Sequence, residues 1–210
     1  MSVSTEAVKV SLTKFVDFAT KPGEQQLTVV REVRRQHATP YEPPPDIYKQ
    51  FRDAVKRMHR AGREKSYLDD VAGRQTEPSR VKHYPFLVGG YKKFLGRKQV
   101  EWFDPPSAVW LREDLRVNVR PELGLVTDGH RTLVKLWLKD GDGLNKKRAE
   151  LIVHLMGEAY DQLTDETRMC VLDVRKGRPY YAGKDSSHHG VLLTAQARSF
   201  VSMYRDLAGG

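Results

Sequence analysis

A chain of 210 residues with 39% hydrophobic content can bury a full core, and its formal charge of +9 at pH 7 makes a polyanion a natural partner. The single cysteine, Cys170, excludes an internal disulfide framework and a multi-cysteine zinc site. No apolar stretch approaches the roughly 18 residues needed to span a membrane, and the start MSVSTEAVKV lacks a signal peptide's basic and apolar regions, so a cytoplasmic protein without a membrane partner is expected.

Ser11 predicts the cap of a short helix that places Leu12, Phe15, Val16 and Ala19 on one face and ends at Pro22-Gly23. A second helix is predicted over Gln25 to Gln36. The prolines between His37 and Asp46 then exclude helix or central strand and read as an extended linker. From Asp46 the positions Ile47, Phe51, Ala54, Val55 and Met58 recur at helical spacing, with Lys49, Arg52, Lys56, Arg57 and Arg60 on the other face. Gly62 to Ser79 is charged and poor in apolar groups, which predicts a surface loop. Tyr84, Phe86, Leu87, Tyr91, Phe94 and Leu95 interleave with Lys92, Lys93, Arg97 and Lys98. This spacing suits a helix packing aromatic residues on the core, and it also suits a surface that stacks on and neutralises a nucleic-acid strand.

Ala108 to Arg112 predicts a first strand. The segment from Asp114 to Lys139 then reads as a β-hairpin, in which Leu115, Val117 and Val119 alternate with polar residues, Pro121 interrupts, Leu123 to Val126 resumes, Asp128-Gly129 turns, and Leu133 to Leu138 returns. Glu122 is the acid inside this apolar run and requires a cation or a metal. Ala149, Ile152, Leu155, Met156, Ala159 and Leu163 form a helical stripe. Met169 to Val174 is apolar enough for a buried parallel strand, and Leu193 to Leu207 spaces as a final helix. His188-His189 falls in a polar DSSHHG segment and reads as solvated, while Cys170 reads as core. The predicted fold is α/β, a mixed sheet with helices on both faces.

Pro121-Glu122, an apolar run, an Asp-Gly turn and a strand ending in lysine, followed by helix and strand, together resemble the core of PD-(D/E)xK nucleases over about Ala108 to Tyr181. The resemblance implies a restriction-endonuclease-like α/β core over residues 101–210, with residues 1–100 as an N-terminal helical extension. It also implies two acids on adjoining strands that hold magnesium or manganese beside a lysine. Glu122 matches the first acid. Lys135 stands at the second acid position and Trp137 at the lysine position, with Lys139 on the same face as Lys135. Glu150, on the following helix, is the residue that could complete a metal pair with Glu122. A second placement uses Asp173-Val174-Arg175-Lys176-Gly177, similar to the Asp-x-Lys-x-Gly segment of RecB-like nucleases.

The catalytic candidates are thus Glu122, Lys135, Lys139 and Glu150, with Mg2+ or Mn2+ as cofactor if the site is active and none if it is not. If Glu122 instead pairs with Lys135 or Lys139, it forms a structural salt bridge. Backbone contacts to nucleic acid, DNA ahead of RNA, are expected from Lys56, Arg57, Arg60, Lys92, Lys93, Arg97, Lys146 and Lys147. The expected function is nucleic-acid association with weak or absent catalysis, alone or with a protein of a nucleic-acid-processing system. The alternatives are an active nuclease with a migrated acid and a module that binds an acidic protein.

Overall fold

Asp128 and Gly129 both take positive φ, 51° and 78°, which is the backbone of a tight two-residue hairpin turn. They join β5 (Leu123–Thr127) to β6 (His130–Trp137) in antiparallel register, Leu123 opposite Val134 and Thr127 opposite His130. The computed structural model describes residues 6–38, 46–140, 143–163, 166–183 and 187–207. Within them a mixed five-stranded sheet forms around this hairpin. β2 (Val100–Phe103) pairs antiparallel with β5, β7 (Arg168–Asp173) pairs parallel with β6, and β8 (Arg178–Tyr181) pairs antiparallel with β7. The parallel step from β6 to β7 needs a crossover, and helix α6 (Lys146–Ala159) provides it, capped by Asn145, whose side chain accepts from the Arg148 N–H at 2.8 Å.

The two faces of this sheet meet different layers. Val134, Leu136, Leu138, Cys170, Leu172 and Val174 share a core with helices α3 (Lys49–Arg60), α4 (Ser66–Gly73) and α5 (Pro78–Leu95). Leu133, Trp137, Met169 and Val171 point to the opposite side, into a core with α6 and the helices α1 (Leu12–Thr20), α2 (Gly23–Ala38) and α7 (Ser187–Asp206). This is the period of two expected of strands buried on both faces. The fold is therefore mixed α/β with helices flanking sheets, as the periodicity predicts.

Leu115 to Val119 departs from the prediction. This strand, β4 (Leu115–Val119), does not join the Asp128-Gly129 hairpin. It pairs antiparallel with β3 (Ala108–Arg112) and parallel with β1 (Val8–Ser11) in a separate three-stranded sheet, Trp110 and Val10 both opposite Val117. The turn that makes this pairing is Glu113-Asp114, whose φ values of 51° and 61° reproduce the same tight hairpin without a glycine. Two short strands, β1 and β2, were not expected at all. Each has only four residues, too few to show their period over the surrounding charges.

The first hundred residues do not form an extension. β1 lies in the second sheet, α1 and α2 fill the core beside α6 and α7, and α3 to α5 cover the far face of the five-stranded sheet. Arg148 of α6 ties the two parts together: its guanidinium reaches Asp17 at 3.4 Å and Thr20 at 3.1 Å. The predicted loop from Gly62 to Ser79 contains α4, anchored by the fully buried Leu68. The start of α5 is capped by the Glu77 carboxylate, which accepts from the Ser79 and Arg80 N–H groups. Of the proline-rich segment, His37 and Ala38 belong to α2, and residues 39–45 lie outside the described residues.

The tightest joint between layers is at Gly90 on α5, where a Cβ would stand 1.9 Å from the Val174 carbonyl oxygen. Its neighbour Gly89 faces open space. Gly90→Ala should therefore cost about 3 kcal/mol or more of stability in urea unfolding, because a backbone carbonyl cannot yield. Gly89→Ala should raise stability by about 0.5–1 kcal/mol through helix propensity.

Candidate nucleic-acid interface

Pro121 ends β4 and lacks a donor, so the chain re-enters a ladder only at Glu122, whose N–H donates to the Val134 carbonyl at 3.0 Å. That bond places the Glu122 side chain beside the next two residues of β6. Its Oε1 accepts from Lys135 Nζ at 2.6 Å and its Oε2 from the Leu136 N–H at 2.8 Å. Lys135 Nζ also donates to the Arg120 carbonyl at 3.3 Å. With side chains only 12% and 17% exposed, this is a sheltered pair in which both carboxylate oxygens are engaged. Lys139 does not join it, since β6 ends at Trp137 and the Lys139 ammonium lies 5.9 Å from the Trp137 ring centroid.

Glu150 is not at this site. It projects from α6 toward Lys146 (3.7 Å) and His189 (3.9 Å), and lines a cavity of about 390 Å³ with His154, Glu158, Asp161 and His189. His189 is therefore buried between α6 and α7, 7% exposed, where a solvated loop residue was expected. The helix α7 begins at Ser187 and carries it inward. His154 and Glu158 sit one turn apart on α6, 3.0 Å from each other, whereas Trp110, which donates to Glu158 at 2.6 Å, comes from β3, and nothing in the local sequence announces that it joins them.

The residues do not fit a divalent ion. Glu122 is committed to a lysine and a backbone N–H, Glu150 faces a different cavity, and among the described residues no group of three or more His, Cys, Asp or Glu is arranged to hold a metal. Asp173, the acid of the second placement, serves its own turn: it accepts from the Lys176 N–H at 3.2 Å and pairs with the Lys176 ammonium at 3.4 Å. Arg175 of that segment is directed to His83 and Asp140. Burial pushes the Cys170 thiol up to about 12, so it is no nucleophile at neutral pH.

Beside Glu122 a shallow groove of about 260 Å³ is walled by Lys56 and Arg60 of α3, Trp102 and Asp104 at the end of β2, and Arg120. Arg60 lies over the Trp102 ring at 5.3 Å and pairs with Asp104. Sequence reasoning selected Lys56 and Arg60 but missed Arg120, because it stands in an alternating strand and only the reversal at Pro121 turns it to this groove. The other selected cations scatter. Arg57 donates to the Tyr67 hydroxyl, Lys92 pairs with Asp69, Lys93 lies against Gly177, and Arg97 follows α5. Lys146 and Lys147 open α6, which packs on the opposite face of the sheet from α3 and α5.

The groove wall is held by His59, which stacks on Trp102 with ring planes 15° apart and is hydrogen-bonded through Nε2 to the Tyr91 hydroxyl at 2.6 Å. Burial raises Tyr91 well above its ordinary value, so Tyr91 keeps its proton. Burial pushes His59 from 6.5 down to about 4. Compared with known proteins, the chain matches no family model and no curated protein.

Two outcomes follow. Glu122→Gln should lower stability by about 1–3 kcal/mol in chemical denaturation, since it strands a sheltered ammonium, whereas replacing Glu122 and Lys135 together by methionines should cost much less. The His59 linkage has a definite sign: the unfolded chain binds the proton near 6.5 and the native chain only near 4, so stability is lost as pH falls through that window. The loss should reach about 3 kcal/mol, and denaturation of wild type and His59→Gln across the window should show it as a difference in slope.

Proposed function

We propose that this chain is a nucleic-acid-associated protein on a PD-(D/E)xK-like core, in which an internal ion pair stands where the nuclease would hold its metal, leaving hydrolysis weak or absent. The observation that carries the reading is the groove beside Glu122. Three cations line it, Lys56, Arg60 and Arg120, with the carboxylates Asp104 and Glu122, and Glu122 is already paired with Lys135 from outside the groove. Because Lys135 neutralises Glu122, the groove presents positive charge to a phosphate rather than an unpaired acid that would repel it.

The order of elements supports the resemblance: an acid at the head of β5, the Asp128-Gly129 turn, β6, a crossover helix and a parallel β7. In that setting, Lys56 and Arg120 would neutralise successive backbone phosphates. Arg60, braced between Trp102 and Asp104, would present its guanidinium edge at fixed orientation. Contacts of this kind position a strand without reading its sequence. Among the described residues no helix is long and apolar enough to cross a membrane.

The test is fluorescence anisotropy with labelled DNA over a salt series. Log affinity should fall linearly with log salt, and Lys56→Ala and Arg120→Ala should each weaken binding for all sequences and reduce the slope by about 1. Glu122→Gln should leave binding nearly unchanged. With magnesium or manganese the wild type should show no cleavage above background. Robust cleavage that disappears in Glu122→Gln would establish an active nuclease instead, and no DNA binding at low salt together with capture of an acidic protein would establish the interaction module.

A further inference from the structure

Helix α5 turns Tyr84, Leu87, Tyr91, Phe94 and Leu95 into the core, yet leaves Phe86 62% exposed. Phe86 is flanked along the helix by Lys82 four residues before it and by Gly89 and Lys93 three and seven after it. These residues share one side of the helix and all are exposed. A large aromatic ring held in water between cations is not explained by packing.

A second segment completes the surface. Gly90 lets the β7–β8 turn approach to van der Waals contact, and Gly177 of that turn meets the Gly90 carbonyl and the Lys93 side chain, with room for no Cβ. This brings Arg175 to 5.8 Å from the Phe86 ring centroid. Arg175 is itself fixed, bonded to His83 Nδ1 at 2.6 Å and paired with Asp140 at 3.3 Å, so the guanidinium keeps its place.

We propose that this ridge is a stacking platform for single-stranded nucleic acid: the Phe86 ring takes the face of one base, and Lys82 and Lys93 take the adjoining phosphates. The chemistry selects the strand type. In a duplex the base faces are stacked on one another and cannot reach a phenyl ring, whereas a single strand offers each base as a π-face beside a charged backbone. The ridge rests on the nucleic-acid reading above, but uses residues outside the Glu122 groove.

The experiment compares anisotropy titrations of a labelled oligothymidine of about 16 nucleotides with a labelled duplex. Phe86→Ala should weaken single-strand binding by about 5- to 150-fold and leave duplex binding unchanged, while Phe86→Tyr should retain both. Since the ring is largely in water, thermal melting of Phe86→Ala should match the wild type, which separates a lost contact from a lost fold. Unchanged single-strand affinity in Phe86→Ala, with salt-dependent nucleic-acid binding intact, would overturn the platform and leave the groove standing. Absence of binding to both probes by the wild type at low salt would overturn the two together.

Discussion

Helix α6 is apolar over most of its circumference, and the architecture follows from the need to cover it. Ala149, Leu151, Ile152, Val153, Leu155 and Met156 are all buried, a distribution that one sheet face cannot satisfy. One side lies on the five-stranded sheet through Met169 and Val171, and the other meets Trp110 of the three-stranded sheet and the helices α1 and α7. The chain before the first sheet is therefore recruited to close this second core. That is why β1, more than a hundred residues ahead of its partner in sequence, pairs with β4, and why Arg148 at the start of α6 is held by Asp17 and Thr20 of α1.

The same economy shapes the charged groups. A carboxylate taken out of water must find donors, and Glu122 finds two at once because it sits one residue ahead of β5, where Leu136 of β6 still has an unused N–H. The lysine beside that N–H completes the shell. An acid so satisfied is a poor metal ligand, since a divalent ion would have to displace a short ammonium contact and a backbone bond and then bear the ammonium's repulsion. Glu122 is thus built into the end of a sheet with its charge balanced by Lys135.

Glycine placement links the fold to its surface. Gly90 and Gly177 allow helix and turn to touch through backbone, and the contact sets where Arg175 emerges relative to Phe86. Neither the aromatic-basic pattern of α5 nor the Arg-Lys-Gly turn is informative alone. Most of the α5 aromatics do pack in the core, as helical spacing predicts, and the one that does not became visible only once the face was assigned.

Local chemistry in the sequence by itself determined the helices other than α4, the Asp128-Gly129 hairpin, the crossover to a parallel β7 and the pairing of Glu122 with Lys135. Each depends on residues close in sequence: a cap such as Ser11 or Asn145, a turn pair, a period of two or 3.6, or an ion pair across one hairpin. What only the tertiary structure decided involves partners far apart along the chain. Leu115 to Val119 reads equally well beside either sheet, because alternation says that one face is buried and not against what. Glu150 and His189 look solvated or available in isolation, and meet only because α7 returns across α6. Arg120 carries no local sign of facing Lys56 and Arg60, since the position of a side chain at a strand end is set by where the strand's neighbours lie, and those come from residues 49–60 and 100–104.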